Sequence, residues 1–460
     1  MSLSMPYRWA LLGLALAGCP DGGNEDDSSN STAMPSTGTG PITTTEPSDP
    51  SEDDSSSTSG SCPAGTLGCP CSPDDTCTGN LECSAGTCVD PGEDTTTGPD
   101  DTTTTGPAVC GNGMAEAGDL CLGMADRVSM GAGTIALTVA NFDNDPALDL
   151  VAANRDANTI SIRLGLGDGS FGFQSTFAVG TSPIAVGHGD FNGDGSLDIV
   201  TANALTLDVT TVAGNGNGDF AGPAPTILGT KITPTDLTVA DLDNDGDPDL
   251  LVTESTLSFI HVFLTDMGIF MPGTTYGTGA GPSAIHVADF TGEGNPDAVT
   301  SDATANTVSL LPGNGLGQIG QPIAETAGTA PVDVGSGDFN GDGNIDAVVA
   351  NPGGNITIRL GNGLGDLGGQ LSFPVAGGPL AMVSTDLDLD GDTDIAVACS
   401  DSMVRVLLSN GMGTLSPALE IMVDAQPQDI VAADVNEDGL LDLLTANLGA
   451  DTVSVILSNA

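Results

Sequence analysis

A nine-residue acidic loop recurs seven times in the last two-thirds of this chain, beginning at Asn141, Asp190, Asp241, Asp289, Asp338, Asp386 and Asp434. Successive copies start 49, 51, 48, 49, 48 and 48 residues apart, so the region is an array of one unit. The clearest copy, Asp190-Phe191-Asn192-Gly193-Asp194-Gly195-Ser196-Leu197-Asp198, carries side-chain oxygens at positions 1, 3, 5 and 9 and a glycine at position 6. A Ca²⁺ ion takes several oxygens at about 2.3–2.6 Å, and a tight turn lets one short segment supply most of them. Five copies keep acid or amide side chains at all four positions together with glycine at position 6. They are Asp190/Asn192/Asp194/Asp198, Asp241/Asp243/Asp245/Asp249, Asp338/Asn340/Asp342/Asp346, Asp386/Asp388/Asp390/Asp394 and Asp434/Asn436/Asp438/Asp442. Two copies are poorer. The first has Asn141, Asp143, Asp145 and Asp149 but Pro146 where glycine belongs, and the fourth offers Asp289, Thr291, Glu293 and Asp297. The expectation is Ca²⁺ in about five loops, with a position-7 backbone carbonyl as a further ligand.

A second mark confirms the register of the unit. Seven residues before each loop stands Pro183, Pro234, Pro282, Pro331, Pro379 or Pro427, with Thr134 in the first copy. From there the pattern runs through a short apolar strand, the loop, and a second apolar strand such as Asp198–Asn203. An alternating third strand follows, as at Thr159–Leu164, then a Gly/Asn turn such as Gly361–Gly365 and a fourth strand. Four strands in about 48 residues make a propeller blade, and seven blades close a ring. The fold class expected is all-β, a seven-bladed β-propeller over 126–460.

The strings Gly189–Gly195 and Gly337–Gly343 resemble the FG-GAP, or VCBS, repeat best known from integrin α-chain heads. The resemblance spans about Val128 to Ala460 and implies a seven-bladed propeller with Ca²⁺ in loops between first and second strands. It says little about the ligand.

With 62 acidic against 7 basic residues, the formal charge of −55 excludes nucleic acid or an anionic membrane surface as electrostatic partner. The acids are concentrated: 26 of the 62 fall in the seven nonapeptides, where metal would neutralise them.

At the other end, Arg8 precedes an apolar stretch, Trp9 to Ala17, too short for an ordinary transmembrane helix. The run Leu16-Ala17-Gly18-Cys19 resembles the lipobox of bacterial lipoproteins, which implies a signal peptide over 1–18 and a lipid-modified Cys19. The expected location is therefore the bacterial cell envelope, with membrane contact through the anchor only. Residues 19–61 and 91–109 are Ser/Thr/Pro/Gly/acid-rich linkers that cannot bury enough surface to fold. Between them, over 62–90, Cys62, Cys69, Cys71, Cys77, Cys83 and Cys88 fit a disulfide-rich knot better than a zinc site, since no histidine is near and the compartment is oxidising. Their pairing stays open. The segment 110–121, bounded by Cys110 and Cys121, resembles half of a cysteine-rich repeat common in bacterial surface proteins and reads as one disulfide loop.

No Ser-His-Asp or Cys-His set and no phosphate loop emerges. His188 and His286 fall on opposite faces of their strands, while His261 aligns with polar third-strand positions and reads as solvent-facing. Cys399 reads as a small packed residue. The functional expectation is a calcium-stabilised binding or adhesion scaffold for a protein or glycan, without a catalytic set. A polysaccharide lyase is the alternative, though bases such as a channel-lining Lys, His, Arg or Tyr are scarce; a purely structural envelope protein is a third. Binding is expected on the second-to-third-strand turns, opposite the metal loops, where Arg155 is the one cation. Finally, the seventh blade ends after three strands, so Val128–Met130 is expected to supply its fourth and close the ring.

Overall fold

The computed structural model describes residues 82–84, 87–89, 120–220, 226–228 and 231–458. The signal peptide, both linkers, Cys19, Cys62, Cys69, Cys71, Cys77 and Cys110 lie outside the described residues. Strands Glu82–Ser84 and Thr87–Val89 form a hairpin that sets Cys83 opposite Cys88 in register. Cys121 is disulfide-bonded, and Cys399 is a free, buried cysteine.

From Asp126 onward the chain builds seven four-stranded antiparallel sheets. The first strands are Thr134–Ala140, Pro183–Gly189, Pro234–Ala240, Pro282–Ala288, Asp333–Gly337, Pro379–Thr385 and Pro427–Ala433. Each packs on the first strand of the next blade, and the seventh packs on the first, which closes the ring. Proline opens five of these strands, a place where its missing N–H costs no ladder bond. Two residues later the pairing slips, as between Pro183 and Ala185 or Pro427 and Asp429. In blade 5 the strand starts at Asp333, two residues after Pro331.

The second strands, from Asp149–Asn154 to Asp442–Asn447, are buried at every position. A strand covered on both faces reads as a continuous apolar run, which is how these segments read. Aspartates at one place on three first strands tie neighbouring blades together. Asp236 accepts from the Ile285 N–H at 3.1 Å, Asp333 from Met382 at 2.7 Å and Asp429 from Leu137 at 2.9 Å. The last of these spans blades 7 and 1.

The seventh sheet runs in the order Asp126–Ser129, Thr452–Ile456, Asp442–Asn447, Pro427–Ala433. An N-terminal strand thus completes the last blade, as the strand count requires. It lies two residues earlier than the expected Val128–Met130, pairing Asp126 with Val455 and Ser129 with Thr452. Met130, next in register, lies past the strand's end but keeps one bond, its N–H donating to the Asp451 carbonyl at 2.9 Å in the turn, and its side chain is buried. Blade 3 holds an unforeseen insertion, a two-residue hairpin of Thr265–Asp266 and Ile269–Phe270.

Candidate metal loops

The acidic loops hang on four fixtures. Position 2 is apolar and buried in every copy: Phe142, Phe191, Leu242, Phe290, Phe339, Leu387 and Val435. Position 4 is left-handed throughout, with φ from 59° at Asn244 to 70° at Gly193 and Gly341. Glycine at position 6, wherever it occurs, adopts φ between 84° at Gly343 and 95° at Gly246, a conformation other residues rarely take. Position 9 is a buried aspartate with both oxygens engaged. Asp394, for example, accepts from Leu387 N at 2.9 Å and from Ser409 N at 2.7 Å, joining the loop's base to the end of the third strand. The same double acceptance occurs at Asp149, Asp198, Asp249, Asp346 and Asp442. At Asp297 the first donor shifts to Thr291 N.

Burial, aided by the acids nearby, pushes the carboxyls of Asp198, Asp249, Asp346 and Asp394 up to about 6 against the opposing backbone bonds. Asp149, Asp297 and Asp442 are raised for the same reason.

Above this base, the position-1 carboxylate gathers the backbone amides of the turn. Asp190 accepts from Asp194 N at 3.1 Å and Gly195 N at 2.8 Å, and Asp241, Asp289, Asp338 and Asp434 do likewise at their positions 5 and 6. Asp386 accepts from Gly391 N at 3.0 Å. In two loops the acids also converge: oxygens of Asp241, Asp243 and Asp249, and of Asp386, Asp388 and Asp394, lie within 4.8 Å of one another. Oxygens about 2.3–2.6 Å from a common centre can be no farther apart than about 5.2 Å, so these sets match a calcium-sized ion.

A further observation bears on the fit. Asp243 Oδ1 and Asp386 Oδ1 are buried without a hydrogen-bond partner. A carboxylate oxygen in that state is costly unless a cation satisfies it. The residues of loops 3 and 6 therefore fit Ca²⁺, which would be held by Asp241, Asp243 and Asp249 and by Asp386, Asp388 and Asp394.

The expected sets of four are assembled only in part, and the departures have a common cause in the turn. The position-5 acids stand outside both trios, because each is drawn to the next amide but one. Asp390 Oδ1 accepts from Asp392 N at 2.8 Å, and Asp245 Oδ1 from Asp247 N at 2.9 Å. In loops 2, 5 and 7 the position-5 acids Asp194, Asp342 and Asp438 are held likewise by the position-7 N–H at 2.8–2.9 Å.

Those three loops differ further in having an amide at position 3. The oxygens of Asn192, Asn340 and Asn436 accept from the position-5 N–H at 2.9, 2.9 and 3.1 Å. Their NH₂ groups donate to a neighbouring acid: Asn340 to Asp342 at 3.1 Å, Asn436 to Asp438 at 3.0 Å and Asn192 to Asp198 at 3.1 Å. An amide carries the donors to neutralise an adjacent carboxylate locally, which an aspartate at the same place lacks. The five like sites read from the sequence thus separate into two loops with converging carboxylates and three whose position-3 amide donates to a neighbouring acid.

Loop 4 keeps the frame but places Thr291 and Glu293 in it. Loop 1 is built differently: Asn141 Oδ1 accepts from Asn144 N at 2.7 Å while its amide donates to the Asp145 carbonyl, and Pro146 has no N–H to give. A further acidic trio, Asp245, Asp247 and Asp266, arises where the blade 3 insertion meets its own loop. Its chain-distant member, Asp266, carries no repeat signal.

On the opposite side, each second strand passes to the third through a short turn. The residue before the third strand is left-handed in all seven blades, from Asp451 at 57° to Gly354 at 97°. Arg155 sits in the first turn with its side chain 12% exposed, its Nε donating to Asp156 at 2.8 Å. Beneath the turns lies a polar frame absent from the sequence reading. Asn154, Asn203, Glu254, Asp302, Asn351, Cys399 and Asn447, each thirteen residues after a loop start, are buried. Most hydrogen-bond into the third strand: Asn154 to Ser161 at 2.7 Å, Asp302 from Ser309 at 2.6 Å, Asn447 to Ser454 at 3.0 Å.

This frame corrects the reading of His261 as solvent-facing. Its Nε2 is 2.7 Å from Glu254 Oε2, with the side chain 16% exposed, because the third-strand polar positions face this frame and Ser161, Ser309 and Thr357 there are also buried. Cys399 occupies the frame in blade 6, where burial pushes its thiol up despite the Arg405 guanidinium beside it. The other two histidines do not meet. His188 reaches Thr138 of blade 1 at 2.7 Å and His286 reaches Ser336 of blade 5 at 2.9 Å.

Comparison with known proteins agrees with this geometry. The FG-GAP-like repeat family model matches residues 141–201, 190–252, 338–397 and 386–445, each match starting at an acidic loop. No curated protein is matched. Among solved structures, two crystal structures of BBS1N in complex with ARL6DN, soaked with mercury and with lead, superpose with a TM-score of 0.54 at 13% and 14% identity. Each covers 74% of this chain and 96% of the other. At that identity the likeness is one of fold. The loops, the closed ring and the matched segments together make this chain a seven-bladed β-propeller of FG-GAP-like repeats.

Proposed function

We propose that this protein is a calcium-stabilised binding scaffold, held outside the cytoplasm by a lipid on Cys19, that presents one propeller face to a protein or glycan. The observation that carries the reading is the division of labour between the two sides of the ring. One side repeats a single loop whose apolar position 2 and position-9 aspartate are buried in every copy, while the other mounts turns of unlike sequence on buried second-strand ends. The first contains the candidate ion loops. The second includes Asn154–Asn158, Asn203–Leu207, Ser301–Ala305 and Asn351–Asn355, each entering its third strand through a left-handed residue: Asn158, Leu207, Asn306 and Gly354. Variable turns on a rigid frame are where recognition is usually placed. The crystallised propeller of similar fold was captured with a partner protein, which favours a protein ligand.

The proposal is non-enzymatic, and its test is a protein and glycan binding array run with and without Ca²⁺ on the full chain. Specific binding lost on exchanging the Asn203–Leu207 and Ser301–Ala305 turns supports it. Release of unsaturated, ultraviolet-absorbing products from an acidic polysaccharide would favour a lyase instead. Calcium itself is tested by melting: a chelator should lower the transition markedly, Mg²⁺ should restore it poorly, and an unchanged melt would remove the ion from the reading. Arg155→Ala is expected to leave affinity nearly unchanged, since Asp156 already occupies its guanidinium.

A further inference from the structure

The acidic-loop side carries a feature that ion binding does not use. In blades 1, 2, 4 and 6 the hairpin joining third to fourth strand bonds to the acidic loop of the preceding blade: Gly169 N donates to the Val435 carbonyl at 3.1 Å, Gly218 N to Phe142 at 3.1 Å, Gly317 N to Leu242 at 3.3 Å and Gly413 N to Phe339 at 2.8 Å. In blades 3, 4, 5 and 6 the tips of these hairpins are Met267, Leu316, Leu364 and Met412, exposed at 87, 73, 84 and 80%. In blades 1 and 2 the corresponding tips are Asp168 and Asn217. Four consecutive blades thus raise an apolar side chain beside an acidic loop, along one arc of the ring. Single exposed apolar residues are ordinary, but a set in one place, rimmed by charge, marks an interaction surface.

The charge of the arc restricts what can cover it. From residue 232 to the end the chain has two cationic side chains besides histidine, Arg359 and Arg405. Both are buried, and both are paired, with Glu325 and with Asp401 and Glu420. The arc therefore has no cation of its own to offset its loops. Calcium would offset only part, because Asp247 and Asp392 stand at position 7 of loops 3 and 6, outside the ligating side chains. Two of the four tips are methionine, whose flexible side chain adapts to varied apolar partners.

We infer that this arc is a second docking surface, independent of the turn face, for a lysine- or arginine-rich amphipathic segment of another protein. The apolar stripe of that segment would lie on the four tips and its cations between the acidic loops.

The test uses the full chain and two synthetic helical 18-residue peptides of equal charge, one of Lys and Leu at amphipathic spacing, the other with every Leu replaced by Ser. The first should bind in a salt-dependent manner and the second at least about tenfold more weakly. A quadruple variant, Met267→Ser, Leu316→Ser, Leu364→Ser and Met412→Ser, should lose about tenfold or more for the first peptide with little change in melting temperature, as these side chains are 73 to 87% exposed. Equal binding of both peptides, or undiminished binding by the variant, would reduce the arc to nonspecific charge and overturn the proposal. So would calcium-dependent, tip-dependent partition onto phosphatidylserine vesicles without peptide binding, which would assign the arc to a membrane.

Discussion

Loops 6 and 1 occupy equivalent places in their blades and share a floor, yet they differ in what that floor supports. Both rest on a buried apolar position 2 and a buried position-9 aspartate held by two backbone amides. In loop 6 two more carboxylates, Asp386 and Asp388, converge on that aspartate, and one oxygen, Asp386 Oδ1, has no hydrogen-bond partner. In loop 1 the position-1 amide satisfies itself within the turn, and Pro146 replaces the glycine that the others need. One motif thus contains two separable devices: a structural pin common to all copies, and an ion cradle that only some retain.

If the pin is common, it should fail alike in both. Without metal, Asp394→Ala and Asp149→Ala should each cost about 2–4 kcal/mol by leaving buried amides unpaired. Denaturant unfolding measures this, and a nearly neutral Asp149→Ala would break the comparison.

The cradle should behave in the opposite way. Asp386→Asn and Asp243→Asn are expected to weaken Ca²⁺ at their loops roughly tenfold, and in chelator to be neutral or slightly stabilising because acid repulsion is relieved. Asp143→Asn should change neither quantity. Calorimetric titration of the three variants would show whether the cradles are confined as described.

Acidity separates the devices a second way. The position-9 carboxyls at about 6 lie above the ordinary aspartate value of 3.8, so between roughly pH 4 and 6 the folded state holds protons that the unfolded state has released. Their contribution to stability falls as pH rises through that window. Metal-free protein should accordingly melt higher near pH 5 than pH 7, while the increment from Ca²⁺, which needs the charged acids, should grow over the same range. Parallel melting curves at the two pH values would sink this. The smallest expected effect is a repair: Asn141→Asp with Pro146→Gly should add one equivalent of bound Ca²⁺ with little change in the apo melt.

Much of this is legible in the sequence because it is repeated. Loop spacing yields the blade count, and a missing last strand locates its substitute at the other end to within two residues. What stays hidden is either unrepeated, like Asp266 on its inserted hairpin, or repeated without an evident chemical reason. Asparagine and aspartate at position 3 look interchangeable as oxygen donors, and only the turn shows Asn340 and Asn436 spending their NH₂ groups on Asp342 and Asp438. The buried polar residue thirteen places after each loop start is asparagine in four blades but glutamate, aspartate or cysteine in the others. Its common role appears only once Ser161, Ser309 and Ser454 are seen facing it, which is also why alternation alone reads the face of His261 as solvent-exposed. The aspartates 236, 333 and 429 likewise mean little until the blades are neighbours.

The strand that completes blade 7 has a mechanical meaning as well. All of residues 1–119 join the propeller through the short stretch that leads into Asp126–Ser129. Tension on that side first meets the Leu122–Ser458 bridge, the Gly123 N–H to Leu457 carbonyl bond and the Arg127–Asp424 ion pair, then the four residue pairs of the strand itself. At the far end of the strand blade 1 shares the load, because Arg163 Nε donates to the Ser129 carbonyl at 3.0 Å. The closure is therefore also a fuse: a steady pull strains the clasp while the ring stays round, and a pull strong enough to part it opens the ring at one known seam.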